Sequence, residues 1–143
     1  MNGLKSIFLV EDDEDDQVFF SEALKEIANA NLFAIANNGV EALNKLQHAT
    51  ILPDMIFMDI NMPLMNGTEC LIAVTKNPLT KHIPVIILTT DGASIHLVQQ
   101  LGAKAFINKP NNGKVLREKI EQMINLDFTL DRQIADETFQ TAF

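Results

Sequence analysis

Short apolar runs alternate along the chain with longer segments in which apolar residues recur at every third or fourth position. Unbroken runs such as IFLV, MIFM and VIIL are typical of strands buried on both faces of a parallel sheet, and the longer segments have the spacing of amphipathic helices. The alternation predicts an α/β fold, a doubly wound five-stranded parallel sheet with helices on both faces. The predicted strands are Ser6–Val10, Leu32–Ala36, Met55–Met58, Val85–Leu88 and Ala105–Ile107, each followed by a helix, the first over about 15–29 and the last ending near Asn125.

In a doubly wound sheet, ligands bind at the carboxyl ends of the strands. Polar residues follow four of the predicted strands at that end. They are Glu11, Asp12 and Asp13 after the first strand, Asp59 and Asn61 after the third, Thr89 and Thr90 after the fourth, and Asn108 and Lys109 after the fifth. We therefore expect acids, a hydroxyl group and a lysine to meet at one edge of the sheet.

The first predicted strand runs directly into six consecutive carboxylates at 11–16. Clustered carboxylates repel one another, so they need solvent exposure, proton uptake or a cation. Three of them, Glu14, Asp15 and Asp16, suit the amino end of the following helix, because the helix dipole favours negative charge there. Asp12 joins the edge that holds the other acids, and carboxylate oxygens are ligands that Mg²⁺ prefers. The run is therefore expected to divide into a metal-binding half and a half that starts the helix.

A carboxylate, a lysine and a threonine at one edge favour phosphoryl chemistry. Taken alone, Asp59 would be an ordinary turn aspartate, but beside the other acids and Lys109 it is better explained as a carboxylate nucleophile. Lys109 could pair with Asp59 and contact a phosphoryl group as a point charge, and the Thr89 hydroxyl could hydrogen-bond a phosphate oxygen. The Lys109-Pro110 pair also makes Pro110 a candidate for a cis peptide that would fix the direction of the lysine.

The chain has a formal net charge of −8 and a single cysteine, Cys70. The negative charge argues against nucleic acids and anionic membrane surfaces as partners, because both attract clustered Lys and Arg. A single cysteine cannot form an internal disulfide. The amino-terminal residues lack the apolar region of a signal peptide, and no apolar stretch approaches the roughly 18 residues of a membrane span. These features predict a cytoplasmic protein.

The motifs LVEDD, PDMIFMDINMPLMNG, PVIILTT and KP occur in this order and at suitable spacing. Together they resemble the receiver domain of two-component response regulators over about residues 4–125. The resemblance implies the flavodoxin-like (βα)5 receiver fold. The VEDD start, the long loop 76–83 and the threonine pair are most similar to the stand-alone regulators that are paired with bacterial phytochromes.

The resemblance assigns a role to each polar residue at the predicted edge. Asp59 matches the phosphoacceptor. Asp12 matches the acid that binds Mg²⁺ directly and Glu11 the acid that binds it through water, with Asp13 as a further possible ligand. Asn61 matches the position whose backbone carbonyl binds the metal.

Three other positions match the part of a receiver that responds to phosphorylation. Thr89 matches the hydroxyl that turns toward the phosphoryl group, and Lys109 matches the lysine that contacts it. Phe106 occupies the position of the switch aromatic, although a phenylalanine there is also explained as an ordinary core residue. In this family the aromatic residue moves inward once the hydroxyl has vacated its place.

These matches imply a single-domain response regulator that takes a phosphoryl group from a phosphohistidine onto Asp59 with Mg²⁺. Transfer and later hydrolysis would be self-catalysed, the donor would be a sensor histidine kinase or a phosphotransfer protein, and a conformational switch would signal to a downstream protein. Two alternatives remain open. One is a receiver that binds proteins without being phosphorylated, and the other is a phosphatase of the haloacid dehalogenase type, which would need an aspartate in place of Asn61.

The sequence further predicts a receiver domain at 1–126 and a C-terminal extension at 127–143 that is too short for an output domain. The extension contains several apolar residues, so it is expected to pack on its own domain, to fray, or to pack on a second copy in a homodimer. Output would then depend on a partner protein, a phosphorelay or dimerisation.

Overall fold

A computed structural model describes residues 3–126, 128 and 140–142, the last three by their backbone alone. The strands are β1 Lys5–Val10, β2 Ala30–Ala36, β3 Met55–Met58, β4 Val85–Thr89, β5 Ala105–Asn108 and β6 Gln140–Ala142. The helices are α1 Glu14–Lys25, α2 Gly39–Gln47, α3 Gly67–Lys76, α4 Ile95–Gln100 and α5 Gly113–Asn125, with a short 3₁₀ turn at Gly92–Ser94 before α4. Among the described residues, none of the helices is both long enough and apolar enough to cross a membrane.

All strands are parallel and lie in the order β2-β1-β3-β4-β5-β6. The predicted α/β fold with its five parallel strands is confirmed. The sixth strand was not predicted. It lies beside β5, where Phe106 pairs with Thr141. The other sequence predictions for the extension fall mostly outside the described residues.

The strands supply two hydrophobic cores, because successive side chains along a strand point to opposite faces of the sheet. Ile7 and Leu9 belong to the core beneath α1 and α5. Phe8 and Val10 belong to the core beneath α2, α3 and α4. Every residue of β3 is buried, as its unbroken apolar sequence predicted. Burial on both faces fixes the strand register and hence which residues emerge at the carboxyl edge.

The first helix is shorter than predicted. Its apolar pattern runs to Ile27, but α1 ends at Lys25. The amides of Glu26 and Ile27 bond to the carbonyls of Ala23 and Leu24, three residues back, which tightens the last turn. Ile27 is only 2% exposed, so the apolar pattern continued past the helix because this turn residue also packs in the core.

Candidate functional site

The sheet order brings the predicted acids to one place. Val10 and Met58 are register partners at the ends of β1 and β3, so Glu11 and Asp59 emerge side by side. The Asp59 amide donates to the Val10 carbonyl at 3.0 Å. Both acids are almost fully buried, with 2% of Glu11 and 7% of Asp59 exposed. Such burial is costly for two carboxylates unless a cation compensates them.

Lys109 is the cation that meets these acids. It follows β5, and its amide donates to the Thr89 carbonyl at 2.9 Å. Its ammonium lies 2.7 Å from Glu11 Oε1, 3.0 Å from Asp59 Oδ2 and 2.8 Å from Asp16 Oδ2. An ammonium has three N–H donors, so each of them can be directed to a different carboxylate.

Burial and pairing act in opposite directions on the pKa values of this cluster. Burial alone would lower the pKa of Lys109, but its hydrogen bonds to Asp16, Glu11 and Asp59 outweigh burial, and the pKa is raised. Burial raises the pKa of Glu11 to about 7, even though Lys109 and the Asp13 amide favour its charged form. Lys109 is therefore charged at neutral pH, while Glu11 changes its charge near neutrality.

The Asp59 carboxylate is held by its own backbone as well as by the lysine. Its Oδ1 accepts a hydrogen bond from the Ile60 amide at 2.7 Å, and its Oδ2 accepts one from Lys109. The loop that follows passes very close: a side chain at Gly67 would collide with the Asp59 carbonyl oxygen. The Gly67 amide also donates to the Ile60 carbonyl at 2.8 Å. Gly67 therefore lets this loop fold back against the residue that carries the carboxylate.

A metal ion would fit beside the same carboxylates. Glu11, Asp12 and Asp59 each offer a carboxylate oxygen, and these atoms lie within 4.8 Å of one another. Oxygen donors of this kind suit Mg²⁺ and Mn²⁺. Asp12 is exposed, so the group is open to solvent on that side. Asn61 lies two residues after Asp59 and is exposed on the loop after β3.

Asp13, the further ligand considered from sequence, does not join this group. Its Oδ1 instead accepts a hydrogen bond from the Asp16 amide at 2.9 Å, and Asp13 is the N-cap of α1. A carboxylate at this position satisfies one of the free amides of the first turn. The helix start therefore uses this side chain, and a role for Asp13 as a further metal ligand stays a prediction.

Two further expectations need correction. The cis peptide considered at Pro110 is not found, because the described residues contain no cis bond. The trans form is favoured by about 0.5–1 kcal/mol even before proline, and the three carboxylates hold the lysine in place. Asp16, assigned from sequence to the helix dipole alone, also contacts Lys109. The spacing of Asp16, three residues after the N-cap Asp13, could have predicted this contact. One helical turn brings a side chain at that spacing back toward the end of β1.

Thr89 and Phe106 lie on the neighbouring strands β4 and β5. Thr89 is 1% exposed, and its hydroxyl oxygen accepts a hydrogen bond from the Asp91 amide at 3.3 Å. Phe106 is fully buried in the core beneath α2, α3 and α4. The position of Phe106 agrees with a core residue, and its role as a switch stays a prediction.

The chain matches the family model of the response regulator receiver domain over residues 7–121. Response regulator Rcp1 of Synechocystis sp. is 30% identical over 127 residues, which cover 84% of this chain and 86% of Rcp1. The crystal structure of the phosphorylated cyanobacterial phytochrome response regulator RcpA is similar with a TM-score of 0.76 and 29% identity, over 85% of this chain and 91% of RcpA. The crystal structure of the Mn²⁺-bound form of Rcp1 has a TM-score of 0.72 and 30% identity, over 83% of this chain and 91% of that one.

Other relatives are longer proteins, and the chain spans 36%, 8% and 54% of the length of three of them. The likeness to stand-alone regulators linked with phytochromes is confirmed by Rcp1 and RcpA. Receiver domains bind Mg²⁺ or Mn²⁺ at an acidic cluster, and the group formed by Glu11, Asp12 and Asp59 fits such an ion and phosphorylation. The chain belongs to the receiver-domain family of the response regulators, the signalling proteins of two-component systems.

Proposed function

We propose that this chain is phosphorylated on Asp59 by a phosphohistidine of a sensor kinase or phosphotransfer protein. One observation supports this most directly: the Asp59 carboxylate belongs to the group that fits a metal ion and also lies 3.0 Å from Lys109. Glu11 shares both features, but the family motif selects Asp59. The pKa of Glu11, raised by burial to about 7, also leaves that side chain partly protonated at neutral pH.

The proposed reaction is an in-line displacement at phosphorus. An Asp59 carboxylate oxygen forms the new O–P bond, and the P–N bond to the donor imidazole breaks with its electron pair leaving on the ring. Lys109 directs an N–H at the phosphoryl oxygens and offsets their charge. Asp12, Glu11 and Asp59, with the Asn61 carbonyl, would hold Mg²⁺, which supplies further charge neutralisation when it is bound. Water later hydrolyses the acyl phosphate, which returns Asp59 to its free carboxylate.

Signalling would follow from the new charge at Asp59. A phosphoryl group adds about −1.5 to −2 charge and new acceptor oxygens. Thr89 would turn its hydroxyl from the Asp91 amide toward those oxygens. Phe106 lies on β5, and Thr89 pairs with Asn108 of the same strand. Movement of Thr89 would therefore be transmitted to β5 and to the surface that a downstream protein contacts.

The assignment is tested by labelling with a small acyl phosphate and measuring the intact mass of the protein. We expect Asp59→Asn to abolish labelling in the presence of Mg²⁺, and a chelator to abolish it in the parent chain. Asp15→Asn is the matched control, because Asp15 is an exposed acid outside the metal-binding group. Labelling of the Asp59→Asn variant at another residue would refute the assignment.

The same assay separates the two alternatives. A parent chain that is never labelled, yet still binds a partner, would be a protein-interaction module. Steady turnover of a phosphate monoester would indicate a phosphatase instead. Asn61 argues against the phosphatase, because that chemistry needs an acid–base carboxylate two residues after the nucleophile.

A second copy of the chain is a further proposed partner, and the topology of β6 supports it. α1 and α5 pack on the same face of the sheet. Yet α1 leads from β1 toward the β2 edge, whereas α5 leads from β5 toward the opposite edge, where β6 lies. A crossover from β5 through α5 to β6 of the same chain would therefore have the opposite hand to the crossover through α1. Parallel crossovers are right-handed in about 98% of cases, so a β6 that follows α5 in the same chain has the disfavoured hand.

We propose that in solution the β5 edge takes Gln140–Ala142 from a second copy, so that no left-handed crossover is needed. Light scattering after size exclusion should then find a dimer. Thr141→Pro should weaken it, because proline cannot donate to the strand ladder, whereas Thr141→Ala should leave it intact. A monomer at every concentration would refute the exchange. We also propose that residues 1–126 form the receiver domain and residues 127–143 an extension. A cytoplasmic location is likewise proposed.

A further inference from the structure

Three acids occupy the first turn of α1, but they have different surroundings. Glu14 and Asp15 are exposed, as expected for acids that only favour a helix amino terminus. Asp16 is partly buried, and its Oδ2 lies 2.8 Å from the Lys109 ammonium. The helix dipole does not require this contact, so Asp16 needs a separate explanation.

The start of α1 is anchored to the end of β1, which fixes the position of Asp16. The Asp13 side chain caps the helix by accepting from the Asp16 amide. The Gln17 side chain donates to the Glu11 carbonyl at 2.6 Å and to Asn37 at 2.8 Å. The Asp16 carboxylate is therefore carried by a backbone that two neighbouring side chains tie down.

Asp16 differs from the other two partners of Lys109 in one respect. Glu11 and Asp59 both belong to the group that fits a metal ion, whereas Asp16 does not. In the proposed phosphorylation Asp59 would become the acyl phosphate, and Glu11 would also face the bound metal ion. Of the three carboxylates that contact the lysine, Asp16 is the one that neither accepts the phosphoryl group nor belongs to the metal-binding group.

The lysine has room to move if nothing holds it. A cavity of about 20 Å³ lies against Asp16 and Lys109, and its other walls include Phe20 and Leu116. That volume is close to what one water molecule requires. A lysine side chain that lacks the Asp16 contact therefore has space beside it in which to change its direction.

We propose that Asp16 is a positioning residue that holds the Lys109 ammonium toward the phosphoryl group throughout transfer. This inference rests on the proposed phosphorylation of Asp59. The contact is exposed on one side, since 43% of the Asp16 side chain is accessible, so its contribution is moderate and is screened by salt.

The test compares Asp16→Asn with Asp15→Asn in acyl phosphate labelling at saturating Mg²⁺. Both variants remove one carboxylate from the first turn of the same helix, but only one removes a contact to Lys109. We expect Asp16→Asn to be labelled about fivefold more slowly than Asp15→Asn at low salt, with a smaller difference at high salt. Calorimetry should give the two variants the same affinity for Mg²⁺.

A double-mutant cycle supplies the readout that a merely structural role would not change. In a Lys109→Met background, Asp16→Asn should no longer slow labelling, because the group it positions is gone. Equal labelling rates for Asp16→Asn and Asp15→Asn would overturn the inference, and so would an undiminished effect in the Lys109→Met background. Failure of the parent chain to be labelled would instead refute the proposed function.

Discussion

Removing the charge of Lys109 should destabilise the protein in a way that depends on pH. Lys109→Met keeps most of the length of the side chain but removes the ammonium that lies 2.7 to 3.0 Å from three carboxylates. Glu11 and Asp59 are then left buried without a cation, because only 2% and 7% of these residues are exposed. Asp16 matters less, since its side chain is 43% accessible and water can solvate it.

The magnitude follows from the burial of the two acids and the pKa of Glu11. Breaking a buried ion pair by removing one partner costs about 3–5 kcal/mol, and an exposed pair adds at most about 1 kcal/mol. Burial raises the pKa of Glu11 to about 7, so below neutrality it is largely protonated in the parent chain and Lys109 offsets less charge. We expect a loss of about 3 kcal/mol near pH 8 and about 1–2 kcal/mol near pH 6 in metal-free protein.

Urea denaturation followed by circular dichroism would measure these losses, since the chain has no tryptophan or tyrosine for intrinsic fluorescence. Lys104→Met is the control. Lys104 directly precedes β5, whereas Lys109 directly follows it. Among the described residues, Lys104 has no carboxylate within 4.0 Å of its ammonium. Adding Mg²⁺ should restore part of the loss in Lys109→Met, because a cation again faces the acids. Equal losses at the two pH values, or a loss near pH 8 no larger than that of the control, would refute the reasoning.

Two further predictions concern residues that surround Asp59. In metal-free protein between about pH 4.5 and pH 7, Glu11 keeps its proton in the folded state and loses it in the unfolded chain. The free energy of unfolding should therefore fall by up to ~3 kcal/mol as the pH rises through that range. Glu11→Gln should flatten this dependence in urea denaturation, and an unchanged slope would contradict the raised pKa. Gly67→Ala should cost about 2 kcal/mol or more and slow labelling, because its Cβ meets the Asp59 backbone, whereas Gly3→Ala, with nothing within 4 Å, should change neither.

The sequence predicts the four central strands β1, β3, β4 and β5 well because most of their residues are buried, whereas the edge strand β2 is largely exposed or half-buried. Met55–Met58 has the predicted bounds, and every residue in it is buried. The positions of Glu11, Asp59 and Lys109 at one edge follow from the same pattern once the strands are taken as parallel. The distances between these side chains do not follow from that pattern. The distance from Lys109 to Glu11 depends on the strand order, which places β3 and β4 between β1 and β5. Local sequence carries no direct record of that order.

The strand β6 in the extension was not predicted from the sequence. Gln140–Ala142 is three residues long, and so short a segment has no periodicity that distinguishes a strand from a loop. Its pairing depends on the free edge of β5, which is a property of the assembled sheet. The sequence therefore supported an extension that packs somewhere but could not predict a sixth strand.

The acid run explains why similar residues next to one another acquire different tasks. Glu11 still follows the strand and meets Lys109, and Asp13 is the N-cap that ends the extended backbone. From Asp13 onward the backbone turns once in about 3.6 residues, so Glu14 faces solvent while Asp16 returns to the lysine. The change from strand to helix period thus places the first and last acids of the run on one ammonium. A single inserted residue between Asp13 and Asp16 would rotate Asp16 by about 100° around the helix axis and move its carboxylate away from the Lys109 ammonium. The spacing of the acids, more than their number, therefore determines this site.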